Sequence, residues 1–488
     1  TTGASNTAVD KSALSANTTA SNNVAVGDSS LIANTTADNN TAIGYSALTA
    51  NTTAEQNTAI GAYAGDALTT GAYNVALGYS ALGAGTTATQ NVAIGRHALS
   101  DGNGHYNVAV GNHALDDNTA NYNVGVGYQA LYTNTTAANN VAVGAHAMNL
   151  NTTGAQNVAI GTYALDSNTT ADYNIAVGYA ALGVNTTGAY NVAVGALALD
   201  ANTTASNNTA VGTSVLTANT TGANNTAVGA DALKANIDAD NNTAVGYLSL
   251  AVNTTGHSNV AVGALAADAN TTGSWNVAIG HSSLTANTTG VQNTAVGQQT
   301  LYANTTGGGN TALGYNASQY TTTGSNNTSV GHRAFFANST GASNTAVGKE
   351  SLNANTTADN NTAVGYSALA VNTTGAGNTA VGLNALIACT EGDSNVAVGL
   401  GALEAVTTSD NNVALGRDAG ASVTTGANNI FIGRDAGITG SPGGSITTGS
   451  NEIVLGDENI TEAHIQVDWT IASDKRDKTD VEPMEMGL

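Results

Sequence analysis

Two histidines, His97 and His113, hold the same place in adjacent copies of a repeat, 16 residues apart, and two neighbouring imidazoles are the beginning of a metal site. A metal bridged between them, or across subunits, needs further ligands. No carboxylate or cysteine recurs with the pair, so exposed imidazoles without a ligand role are the favoured reading. His105, His146, His257, His281, His332 and His464 show no spacing typical of metal ligands. Arg417-Asp418 and Arg434-Asp435 recur in one register, one repeat apart. Their guanidiniums suit an anionic sugar, but exposed ion pairs stiffening that end of the chain account for them more simply. Tyr73, Tyr106, Tyr122, Tyr173, Tyr190 and Trp275 each precede the first residue of a repeat. A row of such rings can stack on sugars, yet isolated exposed aromatics are common.

What positions these residues is a phrase of 17 residues, seen cleanly from Asn361 to Gly377 and restarting at Asn378. It begins at Asn6 and recurs 26 times to Asn429, with two steps of 16 (Asn91 to Asn107 to Asn123). A fixed period of this length predicts a solenoid, in which each copy touches its neighbours and the array counts as one elongated domain. Composition agrees. The chain has 488 residues with 58 Gly, 2 Pro, 3 Phe and 2 Trp, too few bulky side chains for a large compact core. Low charge (9%) with strict periodicity argues against disorder. A net charge of −23 leaves no basic field for nucleic acid or an anionic membrane. The single Cys389 excludes an internal disulfide framework and a cysteine-rich zinc site. No apolar run approaches the ~20 residues that cross a bilayer, and no signal peptide is visible, although Thr1 falls mid-repeat.

Within each copy two short strand-like runs flank a glycine, as in Asn361-Thr362-Ala363-Val364 and Tyr366-Ser367-Ala368-Leu369. Position four is Val, Ile or Leu in all 26 copies, and position three is Ala in 23, the exceptions being Gly125, Ser329 and Phe431. Position nine is Leu in 19. Side chains alternate along a strand, so Val364 and Leu369 are expected to fill the interior while Ala363 and Ala368 face outward. The outward methyl strip is then an apolar patch that predicts contact with further copies of the chain. The alternative is a thinner roll with Ala inside and Val and Leu at the contact; side-chain volume favours the first. Glycine at position five, in 25 of 26 copies with Asp10 the exception, marks a corner of positive φ. Asn at position one suits a second, left-handed corner, and stacked copies should ladder its amide. Thr373-Thr374-Gly375 forms the loop between coils. At one coil per strand spacing the rod is roughly 125 Å long.

The phrase Asn-Thr-Ala-Val-Gly-Tyr-x-Ala-Leu…Asn-Thr-Thr-Gly resembles the repeats of phage and bacterial tail fibre domain-containing proteins. More distantly it resembles the head repeats of YadA-type trimeric autotransporter adhesins. The resemblance covers residues 1 to about 456 and implies an all-β, left-handed parallel β-roll assembled as a homotrimer. A second resemblance lies in Trp469-Thr470-Ile471-Ala472-Ser473-Asp474-Lys475-Arg476-Asp477-Lys478, which is similar to the junction before the C-terminal intramolecular chaperone of phage tail spikes, tail fibres and endosialidases. In that family the chaperone commonly releases itself between Ser and Asp. Carried over, the scissile bond is Ser473–Asp474, with Ser473 the nucleophile. The residues that would activate it are not found before Leu488, so self-cleavage is not expected of this chain.

The expected organisation is a β-roll shaft over 1–456, a capping strand and junction over 457–473, and the start of a chaperone over 474–488. Ser441-Pro442-Gly443-Gly444 sits in a loop of six extra residues before a degraded last copy, Glu452-Ile453-Val454-Leu455-Gly456. Ile465, Val467, Trp469 and Ile471 alternate as a strand suited to cap the open edge. The Asn-x-Thr triplets match glycosylation acceptors but read as turn chemistry. No phosphate-binding loop or calcium-binding nonapeptide appears. The expected function is a trimeric phage tail fibre shaft on the virion, extracellular, without cofactor. Its partners are its own copies, other tail proteins and a host surface receptor, with a glycan among the options. A bacterial surface adhesin and an ice-binding solenoid, the latter suggested by stacked Thr pairs, are the alternatives. No acid–base pair or nucleophile recurs in a cleft-like context, so an enzyme acting on an external substrate is not expected.

Overall fold

The glycine corner sets the shape of each coil. Gly365 has φ 141°, and an added Cβ would lie 2.6 Å from the carbonyl carbon of Gly382 one coil on, so no other residue fits. The computed structural model describes residues 2–462 and residue 464. Within them the chain is an all-β, parallel β-solenoid of 27 three-residue strands, β1 (Thr7–Val9) to β27 (Ile453–Leu455). Each strand pairs in parallel with the next copy in unshifted register, Ala363 facing Ala380 and Val364 facing Val381. The backbone ladder continues past the strands: Ser367 N donates to Lys349 O at 3.0 Å and Leu369 N to Ala385 O at 2.9 Å. Every coil is therefore bonded both to the one before and to the one after, as stacking at a fixed period requires.

The side chains do not point as volume alone suggested. Ala363 and Ala368, expected outside, are wholly buried, and Val364, expected inside, is half-exposed. Leu369 is buried as expected. With three strand residues per coil only the middle one faces inward, and the coil is too narrow there for anything larger than Ala unless its neighbours shrink. The run Tyr366-Ser367-Ala368-Leu369 is a turn and not a second strand. Ser367 (φ 52°) and Leu369 (φ 52°) are left-handed, which packs Ala368 and Leu369 successively into the core. A left-handed non-glycine costs about 1–2 kcal/mol, whereas burying a leucine contributes about 1.5–3 kcal/mol. Burying the leucine offsets the cost of its own left-handed conformation, which is why the turn recurs with Leu.

The exceptions to the repeat compensate one another in space. Phe431 replaces the core Ala of its coil, and the Leu position is Gly in that coil (Gly437) and in the one before (Gly420). An added Cβ on Gly420 would meet the Phe431 ring at 2.7 Å, so the ring occupies the volume the two leucines leave. Ser318 and Ser329, polar intruders at a Leu and an Ala position, share a buried hydrogen bond of 2.7 Å. Gly65 at a Leu position is matched by buried Leu68 three residues on. The six-residue insertion leaves the stack intact, because Ile453–Leu455 pairs with Ile430–Ile432. Inside that loop Ser441 Oγ accepts from Gly437 N at 3.0 Å and donates to Gly444 O at 3.2 Å. The alternating stretch Ile465, Val467, Trp469 and Ile471 lies outside the described residues.

Candidate functional site: side-chain columns along the shaft

Stacking in register turns each repeat position into a column. The Asn of position one forms the ladder expected of it, but it is not the left-handed residue. That conformation belongs to the residue before, such as Asn22 (φ 59°) and Asn39 (φ 61°). The buried Asn40 takes part through its backbone N, which donates to Asn23 Oδ1 at 2.8 Å, while its Nδ2 donates to Ala54 O at 2.9 Å. A second ladder runs beside it at position 12, where Asn151 Nδ2 donates to Asn134 Oδ1 at 2.7 Å and to Gly154 O at 2.9 Å. These are the residues of the glycosylation-like triplets, and Asn372 among them is wholly buried, so they belong to the core. The triplet read as a loop hid this ladder; its sign in the sequence was Asn, and never Asp or Ser, in 18 of 26 copies. The paired threonines divide their roles. Thr373 Oγ1 donates to Thr390 O at 3.0 Å, and only Thr374 is exposed.

The six aromatics that precede the repeat start are all exposed, but only four of them meet one another, as two separate pairs. Tyr106 stacks on Tyr122 at 4.9 Å, Tyr173 on Tyr190 at 5.0 Å, and Trp275 meets His257 edge-on at 6.0 Å. A longer column stands at positions six and seven, just past the glycine corner. Ring centroids follow one another from Tyr45 to Tyr63 (5.3 Å), Tyr79 (5.8 Å), His97 (5.6 Å) and His113 (5.0 Å), and His113 meets Tyr132, at position ten of the next coil, at 5.9 Å. A second run starts at position six of that same coil, where Tyr128 meets His146 at 5.2 Å, His146 meets Tyr163 at 5.2 Å, and Tyr163 meets Tyr179 at 6.2 Å. Nine consecutive coils thus carry a ring. Because the aromatic alternates between two positions of the phrase, no single position reveals it in the sequence.

His97 and His113 lie in this column as a stacked pair, and a carboxylate does accompany them: His113 Nδ1 is 2.7 Å from Asp116 Oδ2. No group of three metal-ligating side chains occurs among the described residues. Beside His97 opens a recess of about 250 Å³ lined by Asp66, Ser80, Gly83, Ala84, Ser100 and Asp101. It exists because Gly83 stands where neighbouring coils carry Asp66 and Ser100. At the far end of the shaft Arg417 Nε pairs with Asp418 at 2.9 Å, and Arg434 pairs with Asp435 at 3.0 Å and with Asp457 at 3.1 Å. The first two are the exposed ion pairs expected there, whereas the third ties Arg434 to a buried carboxylate. Asp457 is held below the ordinary carboxylate range, first by hydrogen bonds from Asn459 and then by Arg434. Ser473 and Asp474 lie outside the described residues.

Position ten carries the half-buried carboxylates Asp66, Asp166, Asp200 and Asp268, and burial pushes all four above their ordinary value of 3.8. Each binds its proton more tightly folded than unfolded. Their contribution to stability is therefore complete below pH 3.8 and is lost as pH rises through the raised values. The melting temperature should rise on mild acidification from neutral pH. Replacing the four by Asn, the residue already at this place in Asn149, should raise the neutral melting temperature by a few degrees and flatten the profile. A thermal melt series in which the substituted and original chains show the same pH slope would refute this. No helix among the described residues is long and apolar enough to cross a membrane. No protein-family model and no curated protein matches this chain.

Proposed function

We propose that this chain is the shaft of an elongated attachment fibre, of the kind found in phage tails, built from three left-handed coils side by side. The observation that carries the proposal is the outer face of the strand ladder. Inversion of the expected side-chain pattern moves the contact surface from Ala to position four, where Ile60, Leu77, Ile160, Val262, Leu313 and Leu415 stand between 37% and 51% exposed. A continuous ribbon of branched aliphatics along the whole shaft is a surface that a lone chain in water rarely presents. Its flat, periodic shape fits other copies of itself. On this reading the shaft belongs to the virion and reaches a host surface receptor, and Ser473–Asp474 is a boundary to a chaperone segment that assists trimerisation. A bacterial surface adhesin with the same roll is the rival, and the same ribbon supports it equally. The ice-binding reading has less support, because Thr373 spends its hydroxyl on the backbone and leaves a single file of threonines.

Native mass spectrometry of the intact chain tests the proposal: a mass of three chains is expected, and a mass of one overturns it. Introducing Val347→Asp, Val364→Asp and Val381→Asp together should reduce that mass to one chain while the circular dichroism spectrum stays unchanged. These side chains face outward in each coil, and the change sets like charges against one another across the contact.

A further inference from the structure

We infer that the aromatic column from Tyr45 to Tyr179 is a binding track for a neutral, hydroxyl-rich polysaccharide lying along the shaft axis. In a molecule built by repetition, a site shows itself where the repetition is broken, and the breaks coincide here. The two coils of 16 residues, beginning at Asn91 and Asn107, fall in the middle of the column. His97 and His113, the paired Asp116 and the recess beside His97 all lie in or next to those coils. Beyond Tyr179 the column stops, with Ala196 and Leu197 at the corresponding places, although the shaft continues for 15 more copies. Holding up the fold therefore does not require the rings.

The chemistry of the surface selects the ligand. Ring centroids about one strand spacing apart, most of them turned edge-to-face (Tyr45–Tyr63 78°, Tyr63–Tyr79 79°), give a broken row of aromatic surface roughly 40 Å long against which the C–H faces of pyranose rings pack. Around the recess Ser80, Ser100, Asp66 and Asp101 supply hydroxyl and carboxylate groups that hydrogen-bond sugar hydroxyls. The same carboxylates, on a chain of net charge −23, repel uronic acids, sialic acids and nucleic acid. A purely apolar ligand would leave the polar lining of the recess unpaired. The inference rests on the attachment reading for what the sugar belongs to, a host surface, but its geometry is independent of how many chains assemble.

Titration calorimetry of the full chain with neutral gluco-oligosaccharides of the cello, malto and laminari series, two to eight units long, tests it. Oligogalacturonate and chitosan oligomers serve as the anionic and cationic counterparts. Binding of at least one neutral series is expected, tightening with chain length. Tyr63→Ala and Tyr79→Ala should each weaken it roughly tenfold. Ala already stands at the same two places in Ala180 and Ala196, so neither substitution threatens the fold. Tyr315→Ala, outside the column, should leave binding unchanged. Failure of all three neutral series, binding confined to a charged oligomer, or indifference to both column substitutions would overturn the inference. Native mass of the same preparation separates the two proposals. A three-chain assembly that binds no sugar removes the track and leaves the shaft, whereas a single chain that binds sugar does the reverse.

Discussion

Gly382→Ala will open the shaft at one coil while the rest of the stack stays folded. Gly382 has φ 139°, and an added Cβ would stand 2.6 Å from the carbonyl carbon of Gly399. Neither strain has an outlet, because the coil above is locked in register by the strand ladder and by Asn395. Left-handed strain alone is worth about 1–3 kcal/mol, and a backbone clash brings the loss to about 3–5 kcal/mol, the range of severe core lesions. Cys389 reports it, since it belongs to the same coil. Its thiol is buried, and that burial pushes its pKa up to about 11, so the native chain should resist thiol reagents at pH 8. If local opening sets the labelling rate, a loss of 3 kcal/mol corresponds to about a hundredfold acceleration. Leu383→Ala is the internal control, because that side chain is exposed in the same coil and Ala already stands at its place in Ala196. Equal labelling rates for Gly382→Ala and the unsubstituted chain would show that the corner is not what holds the coils at their spacing.

The second expected result concerns the asparagine ladder. Asn378 Oδ1 accepts from Asn395 N at 2.9 Å and from Asn395 Nδ2 at 3.1 Å, and Asn378 Nδ2 donates to Gly392 O at 2.7 Å. Asn378→Ala removes all three bonds, leaving the Asn395 N–H unpaired and Gly392 O with only the Cys389 thiol at 3.6 Å. At about 1–3 kcal/mol for each orphaned group, the loss should reach about 2–5 kcal/mol. Asn378→Asp keeps the acceptor, loses the donor and buries a charge, so it should be worse at neutral pH than in acid, where the carboxyl is protonated. Guanidinium unfolding of the three chains at pH 7 and pH 4.5 checks the order. A chain with Asn378→Asp as stable as the original at pH 7 would mean that the ladder is decorative.

Both results fall on residues that repetition alone singled out. Glycine at Gly365 and its equivalents, in 25 of 26 copies, follows from a period and a conformational preference, and the invariant Asn likewise points to a ladder. Direction was harder. Whether Ala363 or Val364 faces the interior depends on how wide the coil is. Width is set by the left-handed turn at Ser367 and Leu369, which no propensity rule places on a leucine. The compensation among Phe431, Gly420 and Gly437, or between Ser318 and Ser329, was equally hidden, since residues up to 17 apart along the chain meet only once the coils are folded and stacked.

From its own text, then, the chain determined the period, the glycine corner, the asparagine column and the elongated all-β architecture, because all four follow from local geometry repeated without change. Only the tertiary structure decided which face carries the branched aliphatics, that a second amide ladder stands inside, and that rings at two places of the phrase line up in two successive runs along one side. Those are matters of which atoms end up adjacent across coils, and adjacency across coils is a property of the stacked solid.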